Sequence, residues 1–440
     1  MKRKSQRSLH SGSASLMGIA TLNPSYMLLS VLLVCHAAGA ADPLPRSAPA
    51  TAGFSAAALE RIDRFYADEV AKDRIPGAVV AIAREGKLVY YKALGYQDKV
   101  AGTPLKTDAI FNLASMTKVL TVVSALTLYE EGRLPLKSTL ATYYPQFSSV
   151  QVGVVDSSGA IRLEPAKQPI FVQDLMRHTS GLTYGARGNS PVHKLYPASS
   201  ATAAYAMTGP EFIDALAKLP LLYQPGTTWD YGFSVDVLGL VVEKITGKTL
   251  GAASEERVWS KLGMRDTAFS VPAEKRSRLA RPLPNDPITG KPQDIRILRE
   301  QPKFDCAGSC AFSTAADYIR FGQMLVNGGA LDGVRILSPK TVRLMTSDHL
   351  GRNIKNNVAG TEAGRDGYGF GLGVAVRTEP GVAATNGSVG DYTWNGANGT
   401  IFWVDPKEQL VVVVMSVGPG EIRKYYREQI AALVYGAMER

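Results

Sequence analysis

Ser115 and Lys118 stand three positions apart in Ala114-Ser115-Met116-Thr117-Lys118, directly ahead of the apolar run Val119-Leu120-Thr121-Val122-Val123-Ser124-Ala125-Leu126. If that run is helical, the two side chains share one face at its start, where unpaired backbone N–H groups gather. A serine hydroxyl is a poor nucleophile at neutral pH and must lose its proton to a neighbouring base as it attacks. A lysine can be that base where burial or nearby cations favour its neutral form. Ser-x-x-Lys alone is also an ordinary way for a helix to begin, so the spacing needs support from its surroundings. The helix supplies it: Val119, Leu120, Val122, Val123, Leu126 and Leu128 make it apolar nearly all round, which marks a helix central to a core.

Two later segments could complete such a site. Gln224-Pro225-Gly226-Thr227-Thr228-Trp229-Asp230-Tyr231-Gly232-Phe233-Ser234 runs into a second apolar helix, leaving Tyr231 in the loop before a buried element. Tyr231 is either a core aromatic with a satisfied hydroxyl or a phenol held near Ser115 and Lys118, where an ammonium would fit it for proton transfer. Gly390-Asp391-Tyr392-Thr393-Trp394-Asn395-Gly396-Ala397-Asn398-Gly399 precedes a strand. It is either a plain hairpin loop or a place where the backbone meets substrate and offers N–H groups to an oxyanion.

The elements that must position these residues follow from periodicity. Ser55 can cap a helix to about Asp73 with Leu59, Ile62, Phe65 and Val70 on one side. Residues 78–83 and 88–91, joined by Arg84-Glu85-Gly86-Lys87, read as a hairpin. Strands return at 400–404 and 410–415, and a helix from about Glu421 to Met438 closes the chain. Between about residues 134 and 320 the sequence reads as loops and helices. The expected fold is α+β: one antiparallel sheet built from both chain ends and flanked by helices, with an inserted mainly helical lobe. The expected divisions are a signal peptide over 1–41, a linker over 42–54, an α/β lobe from 55–132 with 321–440, and a helical lobe over 133–320. Ser115 would then lie where the lobes meet, a usual place for a cleft.

Composition excludes several alternatives. The 440 residues carry a formal net charge of +10, of which Lys2, Arg3, Lys4 and Arg7 supply four with no acid among the first 41 residues. The other basic residues are scattered, without the stripe, zinc pattern or aromatic platform of a nucleic-acid binder. The basic start, the run Tyr26-Met27-Leu28-Leu29-Ser30-Val31-Leu32-Leu33-Val34 and the small residues to Ala40 fit an export signal cleaved near Ala40 or Ala41. An exported protein, periplasmic or secreted, with no stable membrane insertion is the expectation. Cys306 and Cys310 would remain after cleavage, and their separation permits a disulfide without requiring it. A metal site would need more ligands than this segment offers, so no metal or other cofactor is expected. A Ser-His-Asp hydrolase would need a Gly-x-Ser-x-Gly elbow, which is lacking, and His178 reads as structural.

Taken in order, Ser115-x-x-Lys118, the Tyr231 loop and the glycine loop before a strand resemble the class C β-lactamases, penicillin-binding DD-peptidases and related serine esterases. His178-Thr179-Ser180-Gly181-Leu182 and Ser313-Thr314-Ala315-Ala316-Asp317 look like two more of that family's segments. The resemblance implies a β-lactamase/transpeptidase-like fold and an acyl-enzyme on Ser115, with Lys118 and Tyr231 sharing the base and acid work. It also implies an oxyanion hole at the Ser115 and Ala397 amides and a small-molecule ester or amide as substrate. Two departures bear on that substrate. Phe233 stands where Tyr-x-Asn places an amide, and Trp394-Asn395-Gly396 replaces Lys-Thr-Gly. Both make the expected substrate contacts at Phe233, Trp394, Asn395 and Gly396 less polar, which favours a carboxylesterase over a β-lactamase or D-alanine peptidase.

Overall fold

The computed structural model describes residues 42–362 and 364–439; the expected signal peptide lies outside them. Residues 42–440 form one compact unit. Its centre is an eight-stranded antiparallel sheet. From the N-terminal part come β1 (Gly77–Arg84), β2 (Lys87–Asp98) and β3 (Thr103–Pro104). From the C-terminal part come β4 (Tyr368–Phe370), β5 (Ala375–Arg377), β6 (Tyr392–Thr393), β7 (Ile401–Asp405) and β8 (Leu410–Ser416). Their spatial order is β4-β5-β6-β7-β8-β1-β2-β3. The two chain ends meet where β1 pairs with β8, from Ala78 opposite Ser416 to Arg84 opposite Leu410.

The sheet is apolar on both faces because both are covered. Alternate side chains of a strand point to opposite faces, and here Ala78, Val80 and Ile82 join Leu410, Val412 and Val414 in one core. Over that face lie α1 (Ala56–Ala71) and the closing helix Ile422–Tyr435, contributing Leu59, Ile62, Tyr66, Tyr426 and Ile430. Ser55 caps α1, accepting from the Ala58 N–H at 3.3 Å. Val79, Ala81, Ala83, Val411, Val413 and Met415 point the other way into the larger core. That core holds α2 (Thr117–Glu130), α3 (Ser234–Thr246) and α4 (Ala315–Val326). The closing helix is thus α5.

The α+β architecture agrees with the sequence pattern, which did not mark the short strands β3, β4, β5 and β6. A hairpin, Gln151–Val155 against Ile161–Pro165, stands in the stretch read as loops and helices. Its turn is set by Asp156, whose Oδ1 accepts from the Ser158 and Ala160 N–H groups. The segment read as a linker is docked on the sheet: the Ser47 N–H donates to the Leu88 carbonyl and the Leu88 N–H to Pro45.

Candidate active site

From Ala109 to Leu128 every residue is buried except Ser115. Its side chain sits in a 3-10 turn, Ala114–Met116, that leads straight into α2. Ala114 has φ of 45°, a left-handed conformation that an L-residue keeps only when its surroundings enforce it. Those surroundings are specific. Asn112 Oδ1 accepts from the Ala114 N–H at 3.3 Å and from Asn398 Nδ2 at 2.7 Å, while Asn112 Nδ2 donates to the Ser309 and Ala311 carbonyls. Thr400 Oγ1 donates to the Leu113 carbonyl and Tyr318 Oη to that of Met116. The serine is therefore presented by a turn held from three separate chain segments.

Lys118, in the first turn of α2, is 1% exposed. Its Nζ donates to the Gly308 carbonyl at 2.6 Å and lies 4.5 Å from the centroid of the Tyr231 ring and 5.7 Å from that of Tyr184. A cation over an aromatic face is attracted by the ring quadrupole, so the pocket accommodates charge without a direct carboxylate contact. An acid is nonetheless close. The Gly308 N–H donates to Asp236 Oδ1 at 2.8 Å, and Asp236 Oδ2 accepts from Ser200 Oγ at 2.7 Å and Tyr184 Oη at 3.3 Å. Burial pushes the Asp236 carboxyl up, opposed by the Lys118 charge and these donors.

Tyr231 is brought to the same place. Besides Lys118 over its face, its hydroxyl accepts from the Trp394 indole N–H at 3.2 Å, and the two rings lie 5.2 Å apart. His178 packs against the same ring with centroids 4.8 Å apart, and neither His178 nitrogen has a hydrogen-bond partner among the described residues. Burial, reinforced by Lys118 and Arg187, holds that imidazole well below its ordinary value. A neutral ring without partners packs as an aromatic, and the His178 carbonyl fixes the loop by accepting from the Asp230 N–H.

A cavity of about 1010 Å³ opens over these groups, lined by Ser115, Lys118, Tyr231, Trp394, Asn395 and Ala397. Ala397 is exposed to it, and neither its N–H nor that of Ser115 has an acceptor among the described residues. Two free N–H groups on one cavity wall suit an oxyanion. Gly396 is not part of the lining. It lets the loop press against the serine turn, since a Cβ there would meet the Leu113 carbonyl oxygen at 2.2 Å, and its own carbonyl accepts from Arg427 Nη2 on α5.

Phe233 corrects a sequence expectation. It is fully buried behind Tyr184, ring centroids 4.6 Å apart, and packs on Phe212 rather than facing the cavity. The helix α3 that follows turns its first residues inward, so an apolar side chain there joins the core. Sequence reasoning also missed Asn112, Tyr184, Asp236 and Gly308, all within the site network. Tyr184 carried a signal, standing two residues beyond His178-Thr179-Ser180-Gly181-Leu182. Among the described residues no group of three or more His, Cys, Asp and Glu side chains could hold a metal ion, and no helix is long and apolar enough to cross a membrane.

The family model described as Beta-lactamase matches residues 62–435. The chain belongs to the β-lactamase family. Within it the chain is similar to proteins named as esterases. It is 29% identical to esterase EstB of Burkholderia gladioli over 393 residues, 84% of this chain and 93% of that one. It is 30% identical to the lovastatin esterase of Penicillium rubens over 376 residues, 79% of this chain and 90% of that one. The solved structure of EstCE1, described as a hydrolase with promiscuous acyltransferase activity, superposes with a TM-score of 0.70 at 25% identity, covering 86% of this chain and 99% of the other. The β-lactamase family of serine hydrolases, with esterase relatives, is thus the setting for the site's geometry.

Proposed function

We propose that this member of the β-lactamase family is an exported carboxylesterase that works through a Ser115 acyl-enzyme on esters with an apolar acyl or alcohol part. The observation that carries the reading is the contact between Trp394 and Tyr231. An indole N–H on the Tyr231 hydroxyl, in the position of the resembled family's Lys-Thr-Gly cation, supplies a neutral donor and an apolar wall where a β-lactam or peptide carboxylate would need a positive charge. The esterase relatives support the same choice.

The steps follow from the site. Ser115 Oγ attacks the ester carbonyl carbon as its proton passes to the Lys118 and Tyr231 pair, and the carbonyl oxygen becomes an oxyanion facing the Ser115 and Ala397 N–H groups. The tetrahedral intermediate collapses, the carbon–oxygen bond to the alcohol breaks, and the alcohol leaves with the transferred proton. Water then attacks the acyl-serine, giving up a proton to the same pair, and the carboxylic acid leaves as Ser115 regains its hydrogen.

The test is labelling with a fluorophosphonate and hydrolysis of p-nitrophenyl butyrate, comparing the wild type with Ser115→Ala. The wild type is expected to be labelled on Ser115 and to turn over the ester, and the variant to do neither. An unlabelled, inactive wild type would sink the enzyme reading. Turnover of nitrocefin or of a D-alanyl-D-alanine peptide at a rate matching short-chain esters would replace esterase with β-lactamase or peptidase. Export, supported by the basic, apolar and small-residue succession over residues 1–41, is tested by fractionating cells that express the full chain.

A further inference from the structure

The structure joins Cys306 to Cys310 by a disulfide, and the loop so closed reaches the centre of the site. We infer that this bridge is a positioning device for Lys118, fixing the Gly308 peptide on which the lysine is oriented; the inference rests on the serine-hydrolase reading of Ser115 and Lys118.

The loop Cys306-Ala307-Gly308-Ser309-Cys310 touches the serine turn and α2 at successive residues. The Gly308 carbonyl accepts from Lys118 Nζ at 2.6 Å and the Ser309 carbonyl from Asn112 Nδ2 at 3.2 Å, while the Ala311 N–H just past the bridge donates to Thr117 Oγ1 at 3.1 Å. Gly308 and Ser309 line the cavity with Ser115, whereas both cysteines are fully buried.

The Gly308 peptide is wedged. Its N–H, in the peptide from Ala307, is held by Asp236, and its carbonyl, in the peptide to Ser309, by Lys118, so both peptides flanking its Cα are fixed. A Cβ at Gly308 would meet Ser200 Oγ at 2.0 Å and Asp236 Oδ2 at 2.5 Å, so the backbone approaches the Asp236 carboxylate as only glycine can. That necessity leaves the loop with a residue of high backbone freedom at its middle. The bridge between positions four apart removes that freedom from the free loop, and one turn inside it, the Cys310 N–H on the Cys306 carbonyl, adds to the constraint.

An amine has one lone pair and rotates freely about its last carbon bond. With one N–H fixed on the Gly308 carbonyl, the remaining directions at Nζ are set relative to Ser115 and Tyr231. Loss of the bridge would let the carbonyl drift and the amine rotate. Misplacing a catalytic group by about 1 Å costs up to about 100-fold in rate.

Two preparations test this: a Cys306→Ala/Cys310→Ala double variant, and wild type treated with a dithiol such as dithiothreitol. In the latter the protein disulfide takes up two electrons and two protons to give two thiols, and the reagent closes to its own disulfide. For each, kcat and KM on p-nitrophenyl butyrate are measured with the fluorophosphonate labelling rate and the folded fraction by circular dichroism. The expected result is a fall in kcat of about 10- to 100-fold, KM within about twofold, an intact fold, and recovery when the reduced wild type is reoxidised. A fall of less than about fivefold, or one that tracks loss of folded protein, overturns the inference. The oxidised wild type separates the two levels: if it is neither labelled nor hydrolytic the serine-hydrolase reading falls and takes the inference with it, whereas equal activity in wild type and double variant overturns the inference alone.

Discussion

Replacing Trp394 by phenylalanine removes one polar atom from the site while keeping an aromatic ring there. The lost group is the indole N–H that donates to Tyr231 Oη at 3.2 Å, somewhat longer than the usual N–H···O distance of about 2.9–3.0 Å. Between neutral partners such a bond contributes about 0.5–1.5 kcal/mol, and to a charged acceptor about 1.5–3 kcal/mol. If Tyr231 only needs to be held in place, kcat therefore falls by about 2- to 12-fold, since each 1.36 kcal/mol is a factor of ten. If the Tyr231 oxygen gains negative charge as protons move, the stronger bond is lost in the transition state and kcat falls by about 12- to 160-fold. The second range is the expected one, with KM nearly unchanged, because the donor acts on the phenol and not on bound ester.

A void is an unavoidable side effect. Trp394 is 5% exposed and packs against Phe370 and Trp229 with centroids 5.3 and 6.3 Å away, so the smaller ring leaves space that lowers stability by about 1–3 kcal/mol. Circular dichroism melts detect that loss separately from kcat. The decisive assay is a double-mutant cycle with Tyr231→Phe on p-nitrophenyl butyrate. Once the phenol is gone, Trp394→Phe has nothing left to donate to and is expected to change kcat no further. An equal fall in both backgrounds, or a change confined to KM, would refute the proposed role of the indole.

Two more outcomes follow from the same geometry. Asn112→Ala removes four side-chain hydrogen bonds, one to the Ala114 N–H and three that tie the serine turn to Asn398, Ser309 and Ala311, so fluorophosphonate labelling of Ser115 is expected to slow by about tenfold or more; labelling at the wild-type rate would show that the Ala114 conformation holds without it. Glu243, on α3, has its carboxyl pushed up to about 7 by burial, against the Leu250 N–H bond that favours ionisation. Its folded value lies above the unfolded one, so its contribution to stability is fully present below about pH 4.5 and is lost as pH rises through about 7. Glu243→Gln keeps an acceptor for Leu250 without the charge, so its Tm relative to wild type is expected to rise between pH 5 and pH 8 in a melting series; a constant difference would show that the carboxyl does not titrate there.

The sheet was legible because both of its central strands carry an unbroken apolar run. Val79-Val80-Ala81-Ile82 and Val411-Val412-Val413-Val414 read as strands covered on both faces, and α1 and α5 at the chain ends are the natural covers for one of those faces. The hairpin at Gln151–Pro165 was hidden because its second strand, Ile161-Arg162-Leu163-Glu164-Pro165, is mostly exposed and makes too short an alternating pattern to stand out. Within the site, Ser115, Lys118 and Tyr231 were legible as chemistry next to apolar helices. Asn112, Asp236 and Gly308 were not, because each acts through a partner distant in sequence: Asn112 binds residue 398, and Asp236 binds residue 308. A linear reading sees a polar residue in an apolar context but not which chain segment will come to meet it.

The two departures from the resembled family illustrate the same limit from the other side. Both Phe233 and Trp394 looked like apolar replacements in a binding wall, yet only Trp394 reaches the cavity, by way of Tyr231. Phe233 is absorbed into the ring cluster with Tyr184, Tyr196 and Phe212. Tyr184 in turn faces Tyr231 and donates to Asp236, so Phe233 acts on the site as support for a ring beneath Lys118. The substrate inference therefore narrows to one wall. On the proposed esterase reading apolar bulk is favoured beside Trp394, while the same cavity is also lined by charged residues of both signs, among them Arg187, Lys291, Asp286 and Asp294. An ester that pairs an apolar group at the carbonyl with a polar distal end satisfies both parts of that lining.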